Sequence, residues 1–283
     1  MKKLLFYCTA AGPKYIGYIA PFLYCLRRAI PYADAIVDVR DEPDEKTEAA
    51  IAGVQSVLKP GITINYNCFQ NIPMSNDVMM YVRWAVFRPQ FEDYEFILHG
   101  DVDVMYAIEK PDLLEQRLRV LGDDVVSTHD GLDCLPVRCA RIAVPLMIRT
   151  KPWFEAARPV MIELMEALLQ GRYPDWQDIT FRGDVENQTL FATMMKRAGV
   201  RFPKHNFWAY HGFHIGHARV EGRLEAFFGE TDGERIEHKR YARDLVPVFK
   251  TPEFSKLITN GEVAHEFMQV VNAWSKCKNP DEA

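Results

Sequence analysis

Asp101 and Asp103 stand two residues apart at the end of the apolar run Tyr94-Glu95-Phe96-Ile97-Leu98-His99-Gly100. Two carboxylates spaced i and i+2 in an extended chain project to the same side and can share one hard divalent cation. Such a cation neutralises charge on a phosphate leaving group. In open α/β sheets ligands bind beyond the carboxyl ends of strands, which is where this segment would deliver the pair.

Two further constellations carry the right residue types. Arg182-Gly183-Asp184-Val185-Glu186-Asn187-Gln188 opens a helical pattern; Asp184 suits the N-cap, and Asp184 or Glu186 is also a carboxylate available for chemistry. Tyr210-His211-Gly212-Phe213-His214-Ile215-Gly216-His217-Ala218-Arg219 places three histidines at three-residue spacing with two glycines among them, a pattern for a loop or strand end. Neutral imidazole suits Mn²⁺ or another transition metal, a pure Mg²⁺ site favours oxygen, and three histidines together could instead form a separate zinc site. Lys14, Arg83 and Arg219 are the candidate partners for phosphate oxygens. Trp176 and Trp208 are candidate platforms for the C–H faces of a sugar.

The elements that must position these groups alternate through the first 150 residues, with strands expected at 3–9, 35–39, 62–66, 95–99, 124–128 and 142–148. Helices are expected from near Pro21 to Ile30 and over 44–58 and 76–87, with Gly12-Pro13-Lys14 as a turn. Beyond Thr150 the pattern is mainly helical, over 153–169, 185–198 and 263–275. This predicts an α/β fold with a largely parallel sheet in the first half (1–150) and a second half (151–283) that completes a site.

The chain has 283 residues, 48% of them apolar and 26% charged, enough for a large core in one domain. Lys and Arg total 34 against 39 Asp and Glu, a net charge of −5, so no basic field exists for a nucleic-acid backbone. No stretch reaches the roughly 20 apolar residues of a transmembrane helix, although peripheral membrane contact stays compatible. Met1-Lys2-Lys3 and the apolar run after it imitate a signal peptide, but a run this short that continues into Gly12-Pro13 also fits a buried first strand. Six cysteines without a CxxC pair read as reduced thiols in a cytoplasmic protein.

The strand leading into Asp101-Val102-Asp103 resembles the DxD signature of the GT-A-fold, nucleotide-sugar-dependent glycosyltransferases, and the resemblance of pattern and order extends along most of the chain. It implies one GT-A catalytic domain over 1–283, with a Rossmann-like, mostly parallel central sheet flanked by helices and a helical C-terminal part. Phe6-Tyr7-Cys8-Thr9-Ala10 resembles the first strand and nucleotide-facing turn, so Thr9 and Ala10 are expected at the nucleotide. Asp38 is expected to face the base, Lys14 and Arg83 the diphosphate, and Asp101 and Val102 the donor. Asp101 and Asp103 are then expected to hold Mn²⁺ or Mg²⁺, completed by His214 or by His217, with His211 third. In inverting members a carboxylate deprotonates the acceptor hydroxyl, a role open here to Asp184 or Glu186; in a retaining enzyme they would hold sugar or acceptor instead. The expected activity is transfer of a sugar from a nucleotide-diphosphate sugar, UDP favoured over GDP, to a glycan or lipid-linked acceptor. The alternatives are a non-catalytic nucleotide- or glycan-binding module and a nucleotidyltransferase of related fold. A dehalogenase-like phosphatase would want Gly-Thr after the second Asp, where Val104-Met105 stands.

Overall fold

The computed structural model describes residues 2–57, 61–73, 79–127, 145–174, 176, 187–201, 211–229 and 234–277. In chain order the elements are β1 (Lys2–Ala10), α1 (Gly12–Gly17), α2 (Ile19–Ala29), β2 (Asp34–Val39), α3 (Glu45–Val57), β3 (Ile62–Asn65), α4 (Met79–Ala85), β4 (Tyr94–His99), β5 (Val104–Tyr106), α5 (Leu113–Leu121) and β6 (Val126–Ser127). They continue with β7 (Leu146–Arg149), α6 (Thr150–Leu169), α7 (Asn187–Arg197), β8 (Gly212–His214), α8 (Arg223–Gly229), α9 (Glu234–Phe249), α10 (Pro252–Ser255) and α11 (Gly261–Ser275).

A six-stranded sheet runs β3-β2-β1-β4-β7-β6, and β5 pairs with β8 in a separate two-stranded sheet. The first four strands are parallel; β7 runs antiparallel to both β4 and β6. The mixed sheet is thus mostly parallel and flanked by helices, as expected, with one reversed strand.

Period-2 alternation along β1 divides the core. Leu4, Phe6, Cys8 and Ala10 pack into one apolar cluster with α2, α9 and α11, while Leu5 and Tyr7 pack into a second with α4, α6 and α7. In register beside them, β4 sends Phe96 and Leu98 to the first cluster and Ile97 to the second. Each fully buried side chain of this size contributes about 2 kcal/mol, so both faces fix the register of the two central strands.

The chain start forms β1, a central strand with neighbours on both sides. The segment after it differs from the expected turn: α1 begins at once, because Pro13 sits in the first turn, where its missing N–H leaves no bond unmade. Gly12 adopts φ 76°, a left-handed conformation that favours glycine, and its N–H donates to Asp41 Oδ2 at 2.8 Å. The helix expected from near Pro21 to Ile30 is α2, with Pro21 in its first turn, and α1 precedes it. Expected strand residues 128 and 142–144 lie outside the described residues. Among the described residues no helix is long and apolar enough to cross a membrane, and Cys8, Cys25, Cys68 and Cys277 are free thiols.

Candidate active site

Strand order reverses between β1 and β4: the chain leaves β1 toward β2 and β3 on one side and returns to β4 on the other. The crevice beyond the carboxyl ends of two such strands is the ordinary ligand position of an open α/β sheet. There the structure holds a cavity of about 230 Å³, lined by Thr9, Ala10 and Ala11 after β1, Met79, Met80 and Arg83 from α4, Asp101, Val102 and Asp103 after β4, and Tyr15, His214 and Arg219.

Asp101 and Asp103 do not lie in extended chain. The Val104 N–H donates to the Asp101 carbonyl at 3.2 Å, so the segment turns back. Val102 is pinned in the first apolar cluster, and the two carboxylates, though both on the cavity, are held by different partners. Asp101 pairs with Arg83, which also donates to the Gly100 carbonyl at 3.2 Å. Asp103 Oδ2 receives Arg219 Nη2 at 2.9 Å and lies 3.2 Å from His214 Nε2. Gly100 has no room for a side chain, since a Cβ would stand 2.8 Å from the Tyr106 hydroxyl.

His214 reaches Asp103 through the small sheet. β5 and β8 pair with Val104 opposite His214, and the Ile215 N–H donates to the Asp103 carbonyl at 2.8 Å. Gly212 permits this pairing, because a Cβ there would meet the Met105 carbonyl oxygen at 2.2 Å. Burial opposes charge on both partners, but the imidazole and the Arg219 guanidinium hold the Asp103 carboxyl well below the usual range. For His214 burial also acts against the charge, and Asp103 lifts the imidazole above its ordinary 6.5.

Other expected site residues fall elsewhere. Asp38 is fully buried at the end of β2; its Oδ2 accepts from Tyr7 at 2.8 Å and from Arg88 Nη2 and Nε at 2.7 and 3.1 Å, and its Oδ1 from Asn65 at 2.7 Å. Those four donors turn it into the protein rather than toward a base. Lys14, on α1, pairs with Glu266 at 2.5 Å and Glu262 at 3.3 Å and does not line the cavity. His217 is buried in the 3-10 turn that follows β8, against Phe213, Phe227 and His238 and edge-on to His214 at 4.9 Å, and is not among the residues that line the cavity. His211 Nδ1 meets Glu109 at 2.6 Å and its Nε2 accepts from buried Arg117 at 3.0 Å, which makes it part of an internal network. Trp176 is a core residue whose Nε1 donates to Glu163 at 2.6 Å. Asp184, Glu186, Trp208 and Tyr210 lie outside the described residues.

The sequence reading left two contributors unassigned. Tyr15 borders the cavity under the Arg219 guanidinium, 5.4 Å from its ring centre. Glu266, on α11, is buried and holds Arg219 from behind; its signal was an acid placed on the apolar face formed by Val263, Phe267 and Val270.

No known sequence-family profile and no curated protein matches the chain. Solved structures do. The apo structure of WbbM, a bifunctional glycosyltransferase, is 12% identical over 95% of this chain and 52% of its own, with a TM-score of 0.50. The fold is GT-A. The galactosyltransferase LgtC, solved with donor and acceptor sugar analogues, is 15% identical over 67% of this chain and 70% of its own, TM-score 0.46. The glycosyltransferase GlyE of Streptococcus pneumoniae is 18% identical over 69% of this chain and 44% of its own, TM-score 0.46. The chain spans about half the length of WbbM and less than half that of GlyE. At 12% identity the likeness to WbbM shows the fold alone.

Among the described residues no three His, Cys, Asp or Glu side chains stand together as a ready metal cage, and Arg83 and Arg219 pair with the two carboxylates. The donor chemistry nevertheless suits a divalent cation. The 3.2 Å between His214 Nε2 and Asp103 Oδ2 matches the edge of about 3 Å that neighbouring ligands span around an octahedral ion with bonds of about 2.1 Å. Gly216 keeps that corner open, because a Cβ there would lie 2.7 Å from His214 Nε2.

Proposed function

We propose that this GT-A chain is a metal-dependent glycosyltransferase that moves a sugar from a nucleotide-diphosphate sugar, a UDP-sugar in preference to a GDP-sugar, to a hydroxyl of a glycan or lipid-linked acceptor. The observation that carries this reading is the convergence of Asp101, Asp103, His214, Arg83 and Arg219 on one cavity at the switch point of the sheet. Mn²⁺ or Mg²⁺, held by Asp101, Asp103 and His214, would supply positive charge to the departing diphosphate. Arg83 and Arg219 add fixed donors on the same wall, so the work of the protein is positioning and stabilisation of the leaving group. The backbone at Thr9 and Ala10 borders the donor, and the Thr9 hydroxyl, donating to the Met79 carbonyl at 2.8 Å, holds β1 against α4. In an inverting reaction Asp184 or Glu186 would take the acceptor proton.

Thermal melts against UDP- and GDP-sugars, with and without Mn²⁺, test the reading, followed by assay of released nucleotide diphosphate. Metal-dependent stabilisation by a UDP-sugar and release of UDP are expected. Absence of stabilisation by every nucleotide-sugar would refute it, and tight binding without turnover for any donor and acceptor would make the chain a binding module.

A further inference from the structure

Glu266 belongs to the last described helix, far from the carboxylate turn in sequence, yet its side chain is buried beside the candidate site. Three donors converge on it. Arg219 Nε lies 3.0 and 3.2 Å from its two oxygens, Lys14 Nζ 2.5 Å from Oε1, and the Tyr18 hydroxyl bonds Oε2. The guanidinium it holds extends forward, Nη2 to Asp103 at 2.9 Å and to the Tyr18 hydroxyl at 3.3 Å, and Nη1 toward the Tyr15 hydroxyl at 3.4 Å. A continuous path therefore runs from Lys14 through Glu266 and Arg219 to Asp103 and His214, joining α1, α11, the turn after β8 and the turn after β4.

The two carboxylates hold Arg219 by different nitrogens. Glu266 takes Nε, at the root of the guanidinium, and Asp103 takes Nη2, at its tip. A cation held by Asp103 would compete with the contact at the tip and leave the one at the root in place. The root contact and the flanking tyrosines Tyr15 and Tyr18 keep the guanidinium at the cavity wall, with its outer N–H groups open to a phosphate oxygen. Without the root contact, the long arginine side chain would have to give up rotamer freedom to return to the same place.

We infer that Glu266 is a positioning residue for the donor diphosphate: it anchors Arg219 at the cavity when Asp103 turns to the metal, and Lys14 serves the same end by neutralising Glu266. This rests on the glycosyltransferase reading above. It assigns Lys14 an effect through Glu266 in place of direct contact with phosphate.

The test is a double-mutant cycle read by calorimetric titration of the full chain with UDP and with uridine, each in Mn²⁺. Glu266→Gln keeps the shape of the side chain and removes its charge; it is expected to weaken UDP about tenfold, leave uridine unchanged, and lower kcat/KM for the donor. In an Arg219→Gln background the same substitution is expected to change UDP affinity less than twofold, because the group it positions is gone. Equal weakening of UDP and uridine, an undiminished effect in the Arg219→Gln background, or no change in UDP affinity would each overturn the assignment. A wild-type chain that binds UDP and turns over donor, with Glu266→Gln indistinguishable from it, overturns this inference alone. A wild-type chain that binds no nucleotide overturns the reading beneath it as well. Circular dichroism melts of both variants show whether either has lost its fold, and Glu266→Asp, which retains the charge, is expected to recover part of the lost UDP affinity.

Discussion

Two buried aspartates stand at the same edge of the central sheet, Asp38 at the end of β2 and Asp103 after β4, and each faces an arginine. Around Asp38 both carboxylate oxygens are bonded from within the protein by Tyr7, Asn65 and Arg88, and none of those three partners lines the cavity. Asp103 has both of its contacts, Arg219 and His214, on Oδ2, and borders open space with them. The same residue pair therefore does two jobs. An aspartate–arginine pair enclosed by further donors closes a core, whereas one shared with an imidazole at a cavity leaves a place for a ligand to compete.

The contrast breaks most visibly at Asp103. Asp103→Asn is expected to reduce metal-dependent turnover by two to three orders of magnitude, measured as UDP release; full activity would erase the distinction. Next comes Asp38→Ala, which strands the Arg88 and Tyr7 donors and is expected to cost about 3 kcal/mol, read from the denaturant midpoint. A fall in turnover with an unchanged midpoint would place Asp38 at the donor instead. Gly216→Ala crowds His214 Nε2 and should weaken Mn²⁺ by about tenfold, a typical cost for disturbing the surroundings of a metal ligand, with little change in melting temperature. Unaltered Mn²⁺ affinity would show that His214 does not need that space.

A pH dependence separates His211 from His214. Burial and Arg117 push His211 down to about 4 against the help of Glu109, and burial and Arg83 push His99 down to about 3. Both are neutral in the folded protein, so the unfolded chain takes up protons first as the pH falls below 6.5. Stability is full above 6.5 and falls toward pH 4 by about 1.4 kcal/mol per pH unit for each histidine. His214 is raised and has the opposite sign: its share is present at low pH and fades as the pH rises through its folded value. Denaturant titrations of His211→Gln from pH 7 to pH 4 should show a shallower acid slope than the parent; an identical slope would mean that His211 is not the group responsible.

The sheet strands were legible because Phe6, Val37 and Ile97 sit in short apolar runs, and a run buried on both faces announces itself. The pair β5 and β8 was not legible. Each has three residues, and what makes them strands is each other, across a long separation that no local window spans. Type and spacing singled out Asp101 and Asp103, the family resemblance singled out His214 and Arg83, and the structure brings all four to one cavity. Asp38 and Lys14 were misplaced for a shared reason: their partners Arg88 and Glu266 are remote in sequence, and pairing decides which way a charged side chain turns. The turn at Val102 likewise depends on tertiary burial, which overrode the extended geometry that the i and i+2 spacing suggested.

The ladder between β5 and β8 also sets an order in time. Asp101 and Asp103 leave the ribosome roughly a hundred residues before His214 and Arg219, and later still comes the helix bearing Glu266. Domains grow from the N-terminal end during synthesis, and non-local contacts form only after the loop between them has closed. The β1–β4 sheet can thus be assembled while its carboxylates have no partner imidazole, and a truncated nascent chain would carry the crevice without the grip. Competence for ligand would arrive only once α11 has been made.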